Sequence, residues 1–271
     1  MSAMAGGKRG GLHAFFVLGM TSYLLLAGCA HRASSLPELA PDVFGQLYLP
    51  GSASPHPAAV VLHGSGGMRP GYHREAAFLA AHGYAALVLD YYAKVQYGGV
   101  TRAERAQRWQ HWEASVRAAL AYLAQHPAID RSRLALVGFS QGATLALTTA
   151  IATPDIGAVV DYFGPSVVGW YISRFIGYGQ HLPENWLDRL PPVLILHGAR
   201  DPIVSVADSR KLDAALQQRG KIVELHVYPD SMHALNDPKS GSEKAQATAQ
   251  DARERALRFL DTHLAPGTVV Q

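Results

Sequence analysis

Gly138-Phe139-Ser140-Gln141-Gly142 is the stretch whose reading decides the fold. Residues 134–137 before it form a short apolar run with strand character, and residues 143–152 after it are strong helix formers. A G-x-S-x-G pentapeptide between a strand and a helix makes a sharp turn that pushes the serine hydroxyl clear of the backbone. Small residues flank it because a Cβ there would collide with the turn. Five such residues are common by chance as a plain strand–helix connection, so their weight comes from what surrounds them.

Outward from that turn, apolar runs and amphipathic helices alternate. Residues 43–49 read as an early strand, residues 58–62 as one that ends in His63-Gly64-Ser65-Gly66-Gly67, and residues 84–89 as a third. A helix over 74–82 closes at Gly83. Thr101-Arg102-Ala103-Glu104 has the form of a capping box, and Trp109, Trp112, Val116, Leu120 and Leu123 follow it along a helix that stops before Pro127. Further strands are expected at 158–161, 193–196 and 222–228, with helices at 205–218 and 246–263. Continuous apolar strands alternating with helices indicate an α/β chain whose parallel sheet is covered on both faces. In such sheets functional residues gather at the carboxyl ends of the strands.

A neutral serine hydroxyl is a poor nucleophile and needs a base within reach and a third group to orient that base. The strand at 193–196 runs into His197-Gly198-Ala199-Arg200-Asp201, and the strand at 222–228 leads to Asp230-Ser231-Met232-His233. Ser140 as nucleophile, Asp201 as acid and His233 as base therefore come in an order used at such sites. Asp161, closing the strand at 158–161, is the alternative acid. The Gln141 N–H, first after the serine, and the Ser65 N–H in the glycine-rich loop are the expected donors to an oxyanion, with Gly66 as the other candidate in that loop. His63 and His197 read as structural residues bonding nearby backbone, and Asp230 and Asp237 as solvated. Tyr91 and Tyr92 are expected at the pocket rim, with Lys94 solvated beside them. The histidines show no metal-ligand spacing, so neither a metal nor another cofactor is expected.

The chain has 271 residues, of which 48% are hydrophobic and 17% charged, a balance that excludes a disordered or collagen-like chain. Lys8 and Arg9, an apolar stretch over 12–27 and then Cys29 have the layout of a leader, too short and interrupted for a spanning helix. Residues 26–29, Leu-Ala-Gly-Cys, resemble the lipobox of bacterial lipoproteins. That implies removal of residues 1–28, acylation of Cys29, a tether over 29–42 and a membrane-anchored protein of the cell envelope. Ala30 stands where aspartate often marks inner-membrane retention, which favours the outer membrane. Cys29→Ala would then move the protein out of the membrane fraction, and unchanged fractionation would refute the anchor. Losing the leader lowers the formal charge of +3 by two, and no basic stripe interleaved with aromatics suggests a nucleic-acid partner.

Residues 42–264 resemble the dienelactone hydrolase family of α/β-hydrolases. The likeness rests on Leu87-Val88-Leu89-Asp90-Tyr91-Tyr92-Ala93, Gly138-Phe139-Ser140-Gln141-Gly142-Ala143, Asp161-Tyr162-Phe163-Gly164, His197-Gly198-Ala199-Arg200-Asp201 and Met232-His233. It implies an α/β-hydrolase fold over 43–265 with a mostly parallel sheet, and an enzyme that cleaves a small-molecule carboxylic ester through an acyl-enzyme. The family's namesakes carry a cysteine where this chain has Ser140, and a glutamate in the loop that here reads His63-Gly64-Ser65-Gly66. Both departures fit a conventional serine hydrolase and point away from dienelactone itself. The stretch 164–190, too long for a simple connection, carries Trp170, Tyr171, Phe175, Tyr178 and Trp186 and reads either as a small cap, with Trp170 and Tyr171 as substrate contacts, or as an excursion helix whose aromatics pack on the sheet. Two rival functions are a serine peptidase of related fold, separable by peptide against ester turnover, and a non-catalytic envelope binding protein, which a fluorophosphonate would leave unmodified.

Overall fold

The computed structural model describes residues 36–53, 55–95, 101–165, 185–236 and 241–266. Eight strands form one sheet in the order β1-β2-β4-β3-β5-β6-β7-β8. They are β1 (Glu38–Ala40), β2 (Val43–Tyr48), β3 (His56–Leu62), β4 (Ala85–Leu89), β5 (Ile129–Phe139), β6 (Ile156–Tyr162), β7 (Val193–Gly198) and β8 (Val223–Tyr228). From β3 to β8 every neighbouring pair is parallel, while β1 and β2 run antiparallel at one edge. Residues 38–40, expected within a tether, are therefore part of the sheet.

Among the described residues five α-helices cover the two faces: α1 (Pro70–Ala81), α2 (Arg102–Gln125), α3 (Gln141–Ala152), α4 (Val206–Gln217) and α5 (Glu243–His263). The alternation of side chains along each strand divides the core. Ala58, Val60 and Leu62 of β3 pack with Val116, Leu120 and Leu123 of α2, Leu145 and Leu147 of α3 and Leu212 of α4. Ala59 and Val61 point the other way, to Ala76 and Leu79 of α1 and Ala252, Phe259 and Leu260 of α5. Helix α2 starts at a capping box: the Thr101 hydroxyl accepts from Glu104 N, and the Glu104 carboxylate accepts from Thr101 N. None of the described helices is long and apolar enough to cross a membrane.

The strand order reverses direction between β3 and β5. From β3 the chain passes through α1 to β4 on one side, and β5 lies on the other. The helices that follow β3 and β5 pack on opposite faces of the sheet, while the loops leading to them meet at the carboxyl edge, the place where such a reversal makes the crevice that binds ligands in α/β sheets. His63-Gly64-Ser65 and Ser140 both sit at that crevice.

Candidate active site

Ser140 links β5 to α3 with φ 54° and ψ −119°, a backbone conformation that a residue with a side chain adopts only under strain of order 1–3 kcal/mol. Tertiary contacts hold it there. The Ser140 N–H donates to Tyr162 O at 2.8 Å, and the Ser140 carbonyl accepts from Ala143 N at 2.9 Å. A Cβ on Gly138 would fall on the backbone of Ala143, and one on Gly142 on the carbonyls of Leu62 and His63, so both glycines of the pentapeptide are required by close approach.

The loop after β3 lies against this turn. A Cβ placed on Gly64 would stand 3.4 Å from Ser140 Cβ. The Gly64 N–H is spent on the Tyr72 hydroxyl at 3.0 Å, and Gly67 N closes a turn onto Gly64 O at 3.0 Å. Between them stand the Ser65 and Gly66 amides, the two expected to face a substrate. The loop is supported from below. The Tyr91 hydroxyl donates to His63 O at 2.8 Å, and the His63 ring stacks on Tyr91 at 3.9 Å and donates from Nδ1 to Gly64 O at 2.8 Å. Gln141 Nε2 donates to the Tyr92 hydroxyl at 2.8 Å, which ties the first residue of α3 to the same layer.

Tyr91 and Tyr92 therefore correct an expectation. Placed at the rim by their position after β4, they are instead 1% and 6% exposed and hold the glycine-rich loop from beneath. Burial pushes the Tyr91 hydroxyl far above its ordinary range, so it acts as a fixed donor and not as an acid. Lys94 turns away to pair with Asp42, and Asp230 pairs with Lys244 at 2.6 Å.

Asp201 lies in the loop after β7, and His233 in the loop after β8. His233 Nδ1 is 2.6 Å from Asp201 Oδ2. Asp201 Oδ1 accepts the N–H groups of Ile203 at 2.8 Å and Val204 at 2.9 Å. Burial alone would raise this carboxyl, but the donors from His197, His233, Val204 and Ile203 outweigh it and hold Asp201 well below the usual carboxylate range. Asp161 contrasts with it: fully buried, its Oδ1 takes one N–H, from Gly164 at 2.7 Å, and no histidine. Burial, opposed only by that bond and by His197 nearby, pushes it up to about 6. Between the two acids, the histidine is bonded to Asp201. Phe163, itself at φ 48°, stands between the loops: its ring meets His233 edge-on at 4.7 Å, and the residue before it carries the carbonyl that Ser140 N bonds.

Sequence reading missed a second histidine on Asp201. His197 bonds loop backbone as expected, with Nε2 3.0 Å from Val204 O, but the same nitrogen is 3.2 Å from Asp201 Oδ2. The available signal was its spacing, four residues before Asp201 at a strand end. Among the described residues no group of three His, Cys, Asp or Glu side chains is placed to hold a metal ion. Cys29, Trp170, Tyr171, Phe175, Tyr178 and Asp237 lie outside the described residues, as does most of the expected cap. Trp186 is inside them, in a 3-10 turn over Trp186–Arg189, and packs on the core beside α3.

Residues 43–264 match the sequence model of the dienelactone hydrolase family. A probable 2-oxo-3-(5-oxofuran-2-ylidene)propanoate lactonase of a Bradyrhizobium species is 28% identical over 218 residues, which is 77% of this chain and 84% of that one. The carboxymethylenebutenolidase of Pseudomonas putida is 26% identical over 233 residues, covering 80% of this chain and 90% of its own. Among solved structures, a thermophilic esterase of Thermogutta terrifontis in its propionate-bound form superposes with a TM-score of 0.62 at 21% identity, over 83% of this chain and 91% of that one. At that identity the structural likeness speaks for the fold.

Proposed function

The chain belongs to the dienelactone hydrolase family, and we propose that it cleaves carboxylic esters through an acyl-enzyme on Ser140. One observation carries the proposal: a buried carboxylate, Asp201, accepts His233 Nδ1 at 2.6 Å on the same sheet edge as a serine in a strained strand–helix turn. With Nδ1 committed to Asp201, Nε2 is the nitrogen left to serve as base. An ester bond within a ring is what the lactonase acts on by name, and the butenolide named in the carboxymethylenebutenolidase is such a ring.

In this reading Ser140 Oγ attacks the carbonyl carbon as His233 Nε2 takes its proton. The carbonyl oxygen becomes an oxyanion held by the N–H groups of Gln141 and Ser65. Collapse expels the alcohol, which receives the proton from His233. Water, deprotonated by the same nitrogen, then frees the acid and restores Ser140. Asp201 stays ionised throughout and stabilises the imidazolium, a role suited to a carboxyl held so low. No cofactor enters the sequence of steps.

The test is mass analysis of the full-length protein after a fluorophosphonate, beside Ser140→Ala, with short-chain esters and a peptide assayed in parallel. A single adduct on Ser140, absent from the variant, with ester turnover is the expected result. A folded wild type that takes no adduct would defeat the reading, and peptide turnover above ester turnover would redirect it to amide substrates.

A further inference from the structure

We infer that His197 is a positioning residue for the reaction: its buried Nε2–H divides the Asp201 carboxylate between two histidines and fixes the lone pair that His233 uses. The inference rests on the proposed pairing of Asp201 with His233 as acid and base. Side-chain exposure of both His197 and Asp201 is 0%. His197 Nε2 faces two groups that only accept, Val204 O at 3.0 Å and Asp201 Oδ2 at 3.2 Å, so that nitrogen carries the hydrogen and shares it. Nδ1 then accepts the hydroxyl hydrogen of Ser209, 2.6 Å away on α4. Ser209, His197, Asp201 and His233 thus form one chain of hydrogen bonds running from α4 to the site.

Each carboxylate oxygen of Asp201 has two donors, Ile203 N and Val204 N on Oδ1, His233 Nδ1 and His197 Nε2 on Oδ2. Without His197 the two amides still hold Oδ1, but Oδ2 is left to His233 alone. Two consequences follow. The carboxylate can rotate, so His233 loses a fixed orientation. The negative charge is also drawn off by one donor fewer, so Oδ2 accepts the His233 Nδ1–H more strongly. Among the described residues, the ionisable groups that bear on His197 are Asp201 in its own loop, His233 after β8, which shares that carboxylate, and Asp161 near the end of β6, which acts through space. Helix α4 meets it through the Ser209 hydroxyl. A residue that only filled this slot would matter to stability but leave the proton on His233 unchanged.

The experiment follows the His233 Nδ1 proton by NMR against pH in the full-length protein labelled at histidine nitrogen, with kcat/KM profiles alongside, in wild type, His197→Phe, His197→Gln and Ser209→Ala. In His197→Phe the His233 Nδ1 proton signal should move downfield as that hydrogen bond loses its competitor, and kcat/KM should fall by roughly tenfold to a hundredfold, the scale at which orienting partners are felt at other sites. His197→Gln, which can return an N–H to Asp201, should recover part of both changes. Ser209→Ala, which only loosens the ring, should move the signal the same way by less. Should His197→Phe fail to fold, the Gln and Ser209 variants decide alone. A His233 Nδ1 proton signal that stays at its wild-type position in every folded variant would overturn the inference. Failure of the acyl-enzyme reading shows separately, as a wild type without an adduct on Ser140, and leaves the NMR comparison intact.

Discussion

Two aspartates end neighbouring strands of this sheet and ionise in opposite directions because of what donates to them. Among the described residues, Asp201 has four donors, while Asp161 has one and is 1% exposed. The sequence left them as rivals, since strand ends can be read from apolar runs while donor counts depend on loops folding back. The same limit applies to Tyr91 and Tyr92, where position after a strand was legible and side-chain direction was not. The raised Asp161 has a thermodynamic cost. Below 3.8 it is protonated whether the chain is folded or not; between 3.8 and about 6 only the folded chain keeps the proton, so stability falls as pH rises through that window. Two units correspond to about 3 kcal/mol once the group is ionised. Asp161→Asn keeps an oxygen for Gly164 N and cannot ionise. Urea unfolding should show it more stable than wild type at pH 8, by up to about 3 kcal/mol, and nearly equal at pH 4. It should also keep ester turnover, whereas Asp201→Asn should lose about ten-thousandfold in kcat. A stable but inactive Asp161→Asn would reopen the choice of acid.

Among elements, the β5–α3 turn was the most legible, because glycine spacing, an apolar strand and a helix-forming run all agreed on it. Helix α1 was harder. Its apolar face was visible from Arg74, yet it begins at Pro70, whose fixed φ suits a first helical turn that the polar neighbours conceal. Strand β5 likewise begins at Ile129, five residues before its apolar run, because Asp130 and Arg133 pair with each other at 2.8 Å and carry polar residues into the sheet. The turn itself can be tested. A methyl group on Gly142 has no room beside the carbonyls of Leu62 and His63, the residues that lead into the glycine-rich loop. Gly142→Ala should therefore cost about 1–3 kcal/mol of stability and most of the ester turnover, because β3 and α3 must part at the site. Wild-type melting and turnover in that variant would mean the turn has slack that the geometry denies.

Across the whole molecule, the two faces of the sheet carry different duties. One, under α2, α3 and α4, buries Glu113, Thr148 and Ser209 among its apolar side chains. The other buries an ion pair between α1 and α5: Arg253 Nε donates to Glu75 Oε2 at 3.0 Å, while Tyr162 donates to Glu75 Oε1 at 3.1 Å. Burial raises the Glu75 carboxyl, and Arg253 and the Tyr162 hydroxyl pull it back. Arg253→Met would leave that carboxyl buried and unpaired, at a cost of about 3 kcal/mol, and Glu75→Gln in the same chain should recover much of it; denaturant midpoints of the single and double variants would check this, and an additive double variant would count against the pairing. None of this was legible beforehand, because Glu75 and Arg253 are 178 residues apart and each alone reads as a solvated helix charge.

The pair reaches further than its energy suggests. Arg253 also donates to the carbonyl of Asn236, three residues past His233, and Tyr162 presents its own carbonyl to Ser140 N. From a helix on the outer layer, the path to the backbone of Ser140 is three hydrogen bonds long: Arg253 to Glu75, Tyr162 to Glu75, Ser140 to Tyr162. A change at Arg253 or Glu75 should therefore be felt in ester turnover as well as in stability, from the back of the protein.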